Sequence, residues 1–277
     1  MTELTDEGVN GAVPVSVPPD PEAPPVARGM DGAVALLTMQ QLPHNFLNEE
    51  LIAGLIAAVA WARTRGARAI LLRSSLRNFC AGADLDLFEN ARPGEAPELD
   101  IVELLRVFDR APMPIVAAVH GVCVGGGFEL ALACDLILAA DSAKLGCVEA
   151  TLGLNPLMGG IQRLTQRAGA ARAKEMALLA RRYDAATLER WNVINRVVAA
   201  DLLPDAALTI ARELANGPTV AHASTKAIVS YAVSYGVAAS DEAMGELQSP
   251  IWRSSDLKAG LISLREHGPG AARFEGR

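Results

Sequence analysis

The sequence predicts an α/β core followed by a helical C-terminal region. Two observations carry that expectation. Short apolar runs of strand length alternate with helically spaced segments through the first two thirds of the 277 residues; beyond Gly159 helical composition dominates, with one further strand candidate at Asn195 to Val198. Apolar residues make up 51% of the chain, enough for a substantial core, and no repeat of fixed period is visible.

The first 28 residues carry prolines at 14, 18, 19, 21, 24 and 25 and few large apolar groups, so they read as a disordered Pro-rich tail. Lacking a basic start with an apolar core, and lacking arginine enrichment, they resemble neither a secretory signal nor a transit peptide, which points to a cytoplasmic location. Ala33 to Met39 follows as an apolar strand. Asn48 caps a helix from Glu49 to about Arg65, with apolar residues at 51, 52, 55, 56 and 59, and Gly66 ends it. Ala69 to Leu72 and Ile115 to Val119 are continuous apolar runs, as expected of strands buried on both faces, and each leads into a glycine-containing turn. Between them, Ala91 to Pro97 reads as a loop and Leu99 to Arg110 as a helix. Gly121 to Gly127 reads as a turn and Phe128 to Cys134 as a buried helix. Leu136 to Ala140 and Ala143 to Leu145 read as strands. Helices are then expected at Ala170 to Ala180, Ala185 to Asn192, Asp201 to Ala215, Thr219 to Ser234, Asp241 to Trp252 and Ser255 to Glu266. The implied division is a tail over 1–28, a core over 29–200 and a helical region over 201–277.

Charge and composition exclude several function classes. With 25 Lys and Arg against 32 Asp and Glu, the net charge of −7 supplies no field for nucleic acid or an anionic membrane. The longest uncharged stretch, Ala111 to Phe128, is broken by prolines and glycines and reads as strand and turn rather than a membrane span. Cysteines at 80, 123, 134 and 147 and histidines at 44, 120, 222 and 267 show no metal-ligand spacing, so no metal is expected and the thiols read as reduced. Dinucleotide, P-loop and serine-hydrolase signatures are missing.

Two stretches remain that can do chemistry. Phe79-Cys80-Ala81-Gly82-Ala83-Asp84 and Gly125-Gly126-Gly127-Phe128-Glu129 each follow a strand-like run and leave backbone amides uncovered by side chains, as a developing oxyanion requires. Glu129 begins a helix in an otherwise apolar stretch, where an idle charge would be costly. Glu149 lies in a more ordinary loop sequence. Cys80 and His120 flank the two turns, but nothing in the sequence brings them into the contact a nucleophile and base require. Asp84 reads as a turn-stabilising residue, and Lys226 and Lys258 as solvated surface lysines unless they meet a ligand's phosphates.

These segments resemble the enoyl-CoA hydratase/isomerase (crotonase) superfamily. The resemblance runs from about Asp31 to the C-terminus, through Ala81-Gly82-Ala83-Asp84, His120-Gly121 to Asp135, Gly146-Cys147-Val148-Glu149 on to Gln162-Arg163-Leu164, and the closing Asp256-Leu257-Lys258-Ala259-Gly260 and Phe274-Glu275-Gly276-Arg277. It implies a spiral of ββα units with a C-terminal helical region that makes homotrimers or hexamers. It also implies hydration of a 2-enoyl-CoA with no cofactor beyond the coenzyme A of the substrate. By motif position the amides of Ala83 and Gly126 form the oxyanion hole, Glu129 activates water and Glu149 protonates the α-carbon. Backbone around Ala81, Ala83, Asp84, Leu85 and Gly126 holds the substrate. An isomerase of the family needs only Glu149, and a silent RNA-binding relative needs neither glutamate. The segment Gln41-Leu42-Pro43-His44-Asn45-Phe46-Leu47-Asn48 departs from the family's arginine-proline motif, and His120 and Phe128 stand where other residues are familiar.

Overall fold

The computed structural model describes residues 23–92 and 95–277; most of the expected N-terminal tail, and residues 93 and 94 of the expected loop, lie outside the described residues. A six-stranded sheet in the order β1-β2-β3-β4-β6-β9 forms the spine of the molecule. Its members are β1 (Val26–Asp31), β2 (Val34–Met39), β3 (Ala69–Ser74), β4 (Ile115–Val119), β6 (Leu136–Ala140) and β9 (Arg196–Val198). All neighbours run parallel except the hairpin β1–β2. A smaller sheet, β5-β7-β8, comprises β5 (Val122–Val124), β7 (Lys144–Gly146) and β8 (Tyr183–Asp184).

The two sheets are built by successive turns of one spiral. β4 enters the large sheet, β5 the small one, and α4 (Gly126–Leu132) closes the turn; β6, β7 and α5 (Gly160–Leu179) repeat it. One turn earlier, β3 is followed by Cys80, which forms a parallel bridge with Cys123 of β5. Both catalytic-looking stretches therefore follow equivalent strands and lie side by side. Runs without polar interruption explain the burial: every residue of β4 is buried, as are Ala69 to Leu72 of β3.

The helices expected from spacing are present with local revisions. In α1 (Glu49–Thr64) the Asn48 side chain accepts from the Leu51 amide, as its capping position requires. α2 (Asp86–Glu89) is a short helix with no periodic signal, and α3 (Ile101–Arg110) starts two residues beyond Leu99. α4 begins at Gly126, so Gly126 and Gly127 are helical rather than part of the preceding turn. α5 extends ten residues upstream of Ala170, across a non-helical Gly169. β1, β5 and β8 had no independent signature, being short or, for β1, lost in proline-rich surroundings; Val26 to Arg28 of the expected tail are ordered by pairing with β2.

After α6 (Ala185–Arg190), α7 (Leu203–Asn216) packs across β3, β4 and β6, so the core continues past residue 200. Then come α8 (Thr219–Tyr235), α9 (Val237–Glu242), α10 (Met244–Leu247), α11 (Ser249–Trp252) and α12 (Ser255–His267), the expected helix over 241–252 being split among α9, α10 and α11. Lys226 of α8 reaches Asp135 at 2.7 Å and the Met113 carbonyl, which is where that lysine is spent. Arg68 donates to Thr219, Gly217 and Phe274, tying the closing segment to the sheet.

All four cysteines are free and buried. Burial pushes the Cys80 thiol up to about 12 and raises the other three. A thiol reagent such as dithionitrobenzoate is expected to label none of them in the folded protein and all of them in denaturant. Rapid labelling of the native chain would contradict this burial.

Candidate active site

The first turn is held open by its neighbours. Leu47 pairs with Ala83 as a parallel bridge, in which the Leu47 amide donates to the Gly82 carbonyl (2.8 Å) and the Asp84 amide to the Leu47 carbonyl (2.9 Å). In such a pairing the intervening residue, Ala83, turns its own amide the other way. Among the described residues that amide has no acceptor. Gly82 has a φ of +108°, a conformation that favours glycine.

The second turn arrives at the same place by a different route. Gly125, at φ +55° and ψ −134°, swings the chain from β5 into α4, and its amide donates to the Gly146 carbonyl. Gly126 is the first helical residue, so its amide has no intrahelical acceptor, and among the described residues it has no other. A Cβ built on Gly126 would lie 3.8 Å from the Ala83 nitrogen, so the two turns stand side by side.

Glu129, one turn into α4, and Glu149, at the start of a 3-10 turn after β7, face the same space. Glu129 is 1% exposed and its Oε1 accepts from the amides of Met158 and Gly160, both at 2.8 Å, at the N-terminus of α5. Burial pushes its carboxyl up to about 7; the Gly160 and Met158 amides oppose the rise and the charge of Glu149 adds to it. Glu149 is 9% exposed, burial raises its pKa as well, and neither of its oxygens has a hydrogen-bond partner among the described residues. A buried carboxyl with both oxygens idle is costly as structure and useful as chemistry.

Ala83, Gly126, Glu129 and Glu149 line one cavity of about 340 Å³, together with Ala81, Leu85 and side chains that are otherwise apolar. All the expected site residues except Asp84 meet there. Asp84 faces a neighbouring cleft, and its carboxylate accepts from the Asp86 amide, so it shapes the turn. Cys80 and His120 are engaged elsewhere: the thiol donates to the Asn45 carbonyl and the ring nitrogen Nε2 pairs with the Leu76 carbonyl. A cysteine nucleophile is not assembled.

The sequence model of the enoyl-CoA hydratase/isomerase family matches residues 29–276. The chain belongs to the enoyl-CoA hydratase/isomerase family. A probable enoyl-CoA hydratase of Rhizobium meliloti is 35% identical over 235 residues, 84% of this chain and 91% of that protein. The carnitinyl-CoA dehydratase of Proteus mirabilis is 41% identical over 165 residues, 58% of this chain and 62% of that protein. Among solved structures, an enoyl-CoA hydratase subunit I from Geobacillus kaustophilus superposes with a TM-score of 0.85 at 32% identity, covering 91% of this chain and 98% of that one. The fold is thus the crotonase fold of this family.

Several contributors to this hydratase/isomerase site carry no motif of their own. Leu47 sits in the segment that departs from the family pattern, yet it braces the first turn. Met158 and Gly160 hold Glu129. A glycine pair before a long helix, Gly159-Gly160, was the available signal: a Cβ on Gly160 would stand 2.7 Å from Glu129 Cγ and 2.8 Å from Oε1. Gly160 is therefore a positioning residue. Gly160→Ala is expected to lower kcat by about a hundredfold, and to shift the acidic limb of the pH profile upward as the Glu129 carboxylate loses its amide donors. An unchanged pH profile would deny Gly160 that role.

Proposed function

We propose that this enzyme hydrates 2-enoyl-CoA thioesters to 3-hydroxyacyl-CoA. The observation that carries the reading is the convergence of two unengaged amides and two buried carboxyls on one cavity. The thioester oxygen accepts from the Ala83 and Gly126 amides, which stabilise the enolate that forms as C3 is attacked. Glu129, fixed by the α5 amides, takes a proton from water as the oxygen bonds to C3. Glu149 delivers a proton to C2, completing addition across the double bond. Coenzyme A enters as part of the substrate, and the chemistry needs no metal or redox cofactor. Because the same groups serve the reverse path, dehydration of a 3-hydroxyacyl-CoA fits the same arrangement, and the Proteus relative is named a dehydratase.

An isomerase would use one carboxylate, whereas here Glu129 is held in place at the cavity wall, and this favours hydration. Incubation with crotonyl-CoA is the test: loss of enoyl thioester absorbance supports the reading, and turnover confined to a 3-enoyl thioester overturns it. With Glu129 titrating near 7, the base form grows as pH rises, so the rate is expected to increase through that value along its acidic limb. A rate that falls over the same interval would reverse the assignment of base.

The family resemblance further supports a homotrimer or a hexamer. Apolar side chains left exposed on the C-terminal helices, among them Val229, Val233, Trp252, Leu261 and Leu264, supply the surface such contacts would cover. Light scattering at micromolar concentration distinguishes a trimer or hexamer from a monomer.

A further inference from the structure

We infer that Asn45 is a positioning residue for the first oxyanion donor: its side chain fixes the backbone ahead of the first turn and so sets where the Ala83 amide stands. The inference rests on the proposed reading of that amide as a donor to the thioester oxygen.

The chain reaches Ala83 through Phe79 and Cys80, both inaccessible to solvent. On one side the approach to β5 and β5 itself hold this run: the Phe79 amide donates to the His120 carbonyl, the Cys80 amide to the Val122 carbonyl, and the Cys80 carbonyl accepts from the Val124 amide. On the other side lies the segment over 44–47, where the Ala81 amide donates to the His44 carbonyl and the Leu47 amide to the Gly82 carbonyl. Neither set of backbone bonds engages the Phe79 carbonyl. Its donor among the described residues is Asn45 Nδ2, at 3.0 Å.

Asn45 is itself inaccessible to solvent, and each polar group it carries is engaged. Nδ2 also donates to Ser74 Oγ at the end of β3 (2.8 Å), and that hydroxyl donates in turn to the Asn78 carbonyl (2.7 Å). Oδ1 accepts from the Gln41 amide (2.8 Å), the Asn45 amide donates to the Gln41 carbonyl, and the Asn45 carbonyl accepts from the Cys80 thiol. One side chain thereby joins the end of β3, the loop over 41–48 and the approach to the first turn. Asparagine suits the place twice over. It supplies two donors and an acceptor on one short side chain, and it tolerates the left-handed backbone found here, φ +53°. Ionised aspartate has the shape without the donors, and glycine takes the backbone conformation without the side chain.

Asn45 is not among the residues that line the cavity. Its influence on substrate therefore passes through the turn, and only one of the two oxyanion donors depends on it, since the Gly126 amide is placed through Gly125 and its bond to the Gly146 carbonyl. Loss of that influence belongs in the transition state, where the oxyanion is formed, more than in ground-state binding.

The experiment compares the whole protein with Asn45→Gly, Asn45→Asp and Asn48→Ala. The last removes the cap of α1 in the same segment without touching the turn, and so reports what destabilisation alone does. Two quantities are read: kcat and KM with crotonyl-CoA, and the near-ultraviolet absorbance of bound acetoacetyl-CoA at pH 8. That 3-oxo thioester loses a C2 proton to the buffer and moves the electron pair onto its carbonyl oxygens, the thioester's among them, so the enolate fraction reports donation to the oxyanion apart from hydration. The parent is expected to raise the enolate fraction on binding. Asn45→Gly and Asn45→Asp are expected to lower kcat by about tenfold to a hundredfold with KM within about threefold, and to lose most of the enolate absorbance. Asn48→Ala is expected to melt a few degrees lower with kcat within about twofold and the enolate absorbance retained. Parental kcat and enolate absorbance in both Asn45 variants would overturn the inference, as would equal losses in Asn48→Ala. If the parent stabilises the enolate in an Asn45-dependent way but hydrates no enoyl thioester, the hydratase reading fails and the positioning role stands. A parent that hydrates crotonyl-CoA while its Asn45 variants do so equally well removes the positioning role alone.

Discussion

Glutamine at position 129 is expected to cost the enzyme at least about a hundredfold in the rate of enoyl thioester hydration while leaving the protein more stable at alkaline pH. The two effects have one cause. Glu129 is nearly inaccessible to solvent, and burial has pushed its carboxyl up to about 7, so at pH 8 the fold holds a charge in a place that favours the neutral form. In the unfolded chain the same carboxyl titrates near the ordinary glutamate value. A folded-state value above the unfolded one means that its contribution to stability is fully present below about 4.5 and is lost as pH rises through about 7. The penalty at pH 8 is on the order of 3 kcal/mol.

Glutamine keeps the side-chain oxygen that accepts from Met158 and Gly160, and its amide group can face Glu149 as a donor. The α5 N-terminus therefore stays satisfied while the proton acceptor disappears. Thermal melts of Glu129→Gln and the parent should separate at pH 8, with the variant higher, and converge toward pH 4.5. Glu149→Gln is expected to show a rate loss of similar size, since its two unpartnered oxygens hold no structural bond to lose. Full activity in either variant would show that the carboxyls do not divide the proton transfers.

How far this site could be read from sequence depends on what each residue asks of its neighbours. The strands β4 and β3, the latter over Ala69 to Leu72, were legible because those runs are buried on both faces and admit no polar residue. The two turns were legible because each requires glycine, at Gly82 and Gly125, and the pairing of Glu129 with Glu149 came from motif position. Leu47, by contrast, acts through its backbone, by an amide and a carbonyl that any residue possesses, and nothing in its identity announces that it braces Ala83. The same holds for the amides of Met158 and Gly160. α2 is four residues long, too short for any periodicity to show, and the apolar wall it helps to form is indistinguishable in sequence from ordinary core. Asp84 is the converse case: an acid inside the motif that reads as a turn-stabilising residue, and its carboxylate accepts from the Asp86 amide within the turn and lines the neighbouring cleft.

The glycine triplet offers the sharpest separation of role, because its last two members are crowded by different kinds of atom. A Cβ on Gly126 would meet Leu47 Cδ1 at 2.8 Å and Met158 Sδ at 3.1 Å, the movable ends of side chains. A Cβ on Gly127 would meet the Cys80 carbonyl oxygen along with Cys80 Cβ and Sγ at 2.6 Å. Backbone cannot step aside in that way without moving the strand to which it belongs. Cys80 is hydrogen-bonded to β5 in both directions, its amide to the Val122 carbonyl and its carbonyl to the Val124 amide. Gly127→Ala therefore forces α4 and the first turn apart, and with them the amides of Gly126 and Ala83. Loss of concerted donation to the oxyanion is expected to lower kcat by about a hundredfold to a thousandfold, and the overpacking to lower stability by about 1–3 kcal/mol. Gly126→Ala, with yielding neighbours, is expected to fold close to normally and to lose activity chiefly through substrate binding, as its methyl group intrudes on the cavity. Measuring kcat, KM and melting temperature for both variants tests the distinction. If Gly127→Ala retained parental kcat and stability, close contact between the two turns would not be what holds the oxyanion donors together.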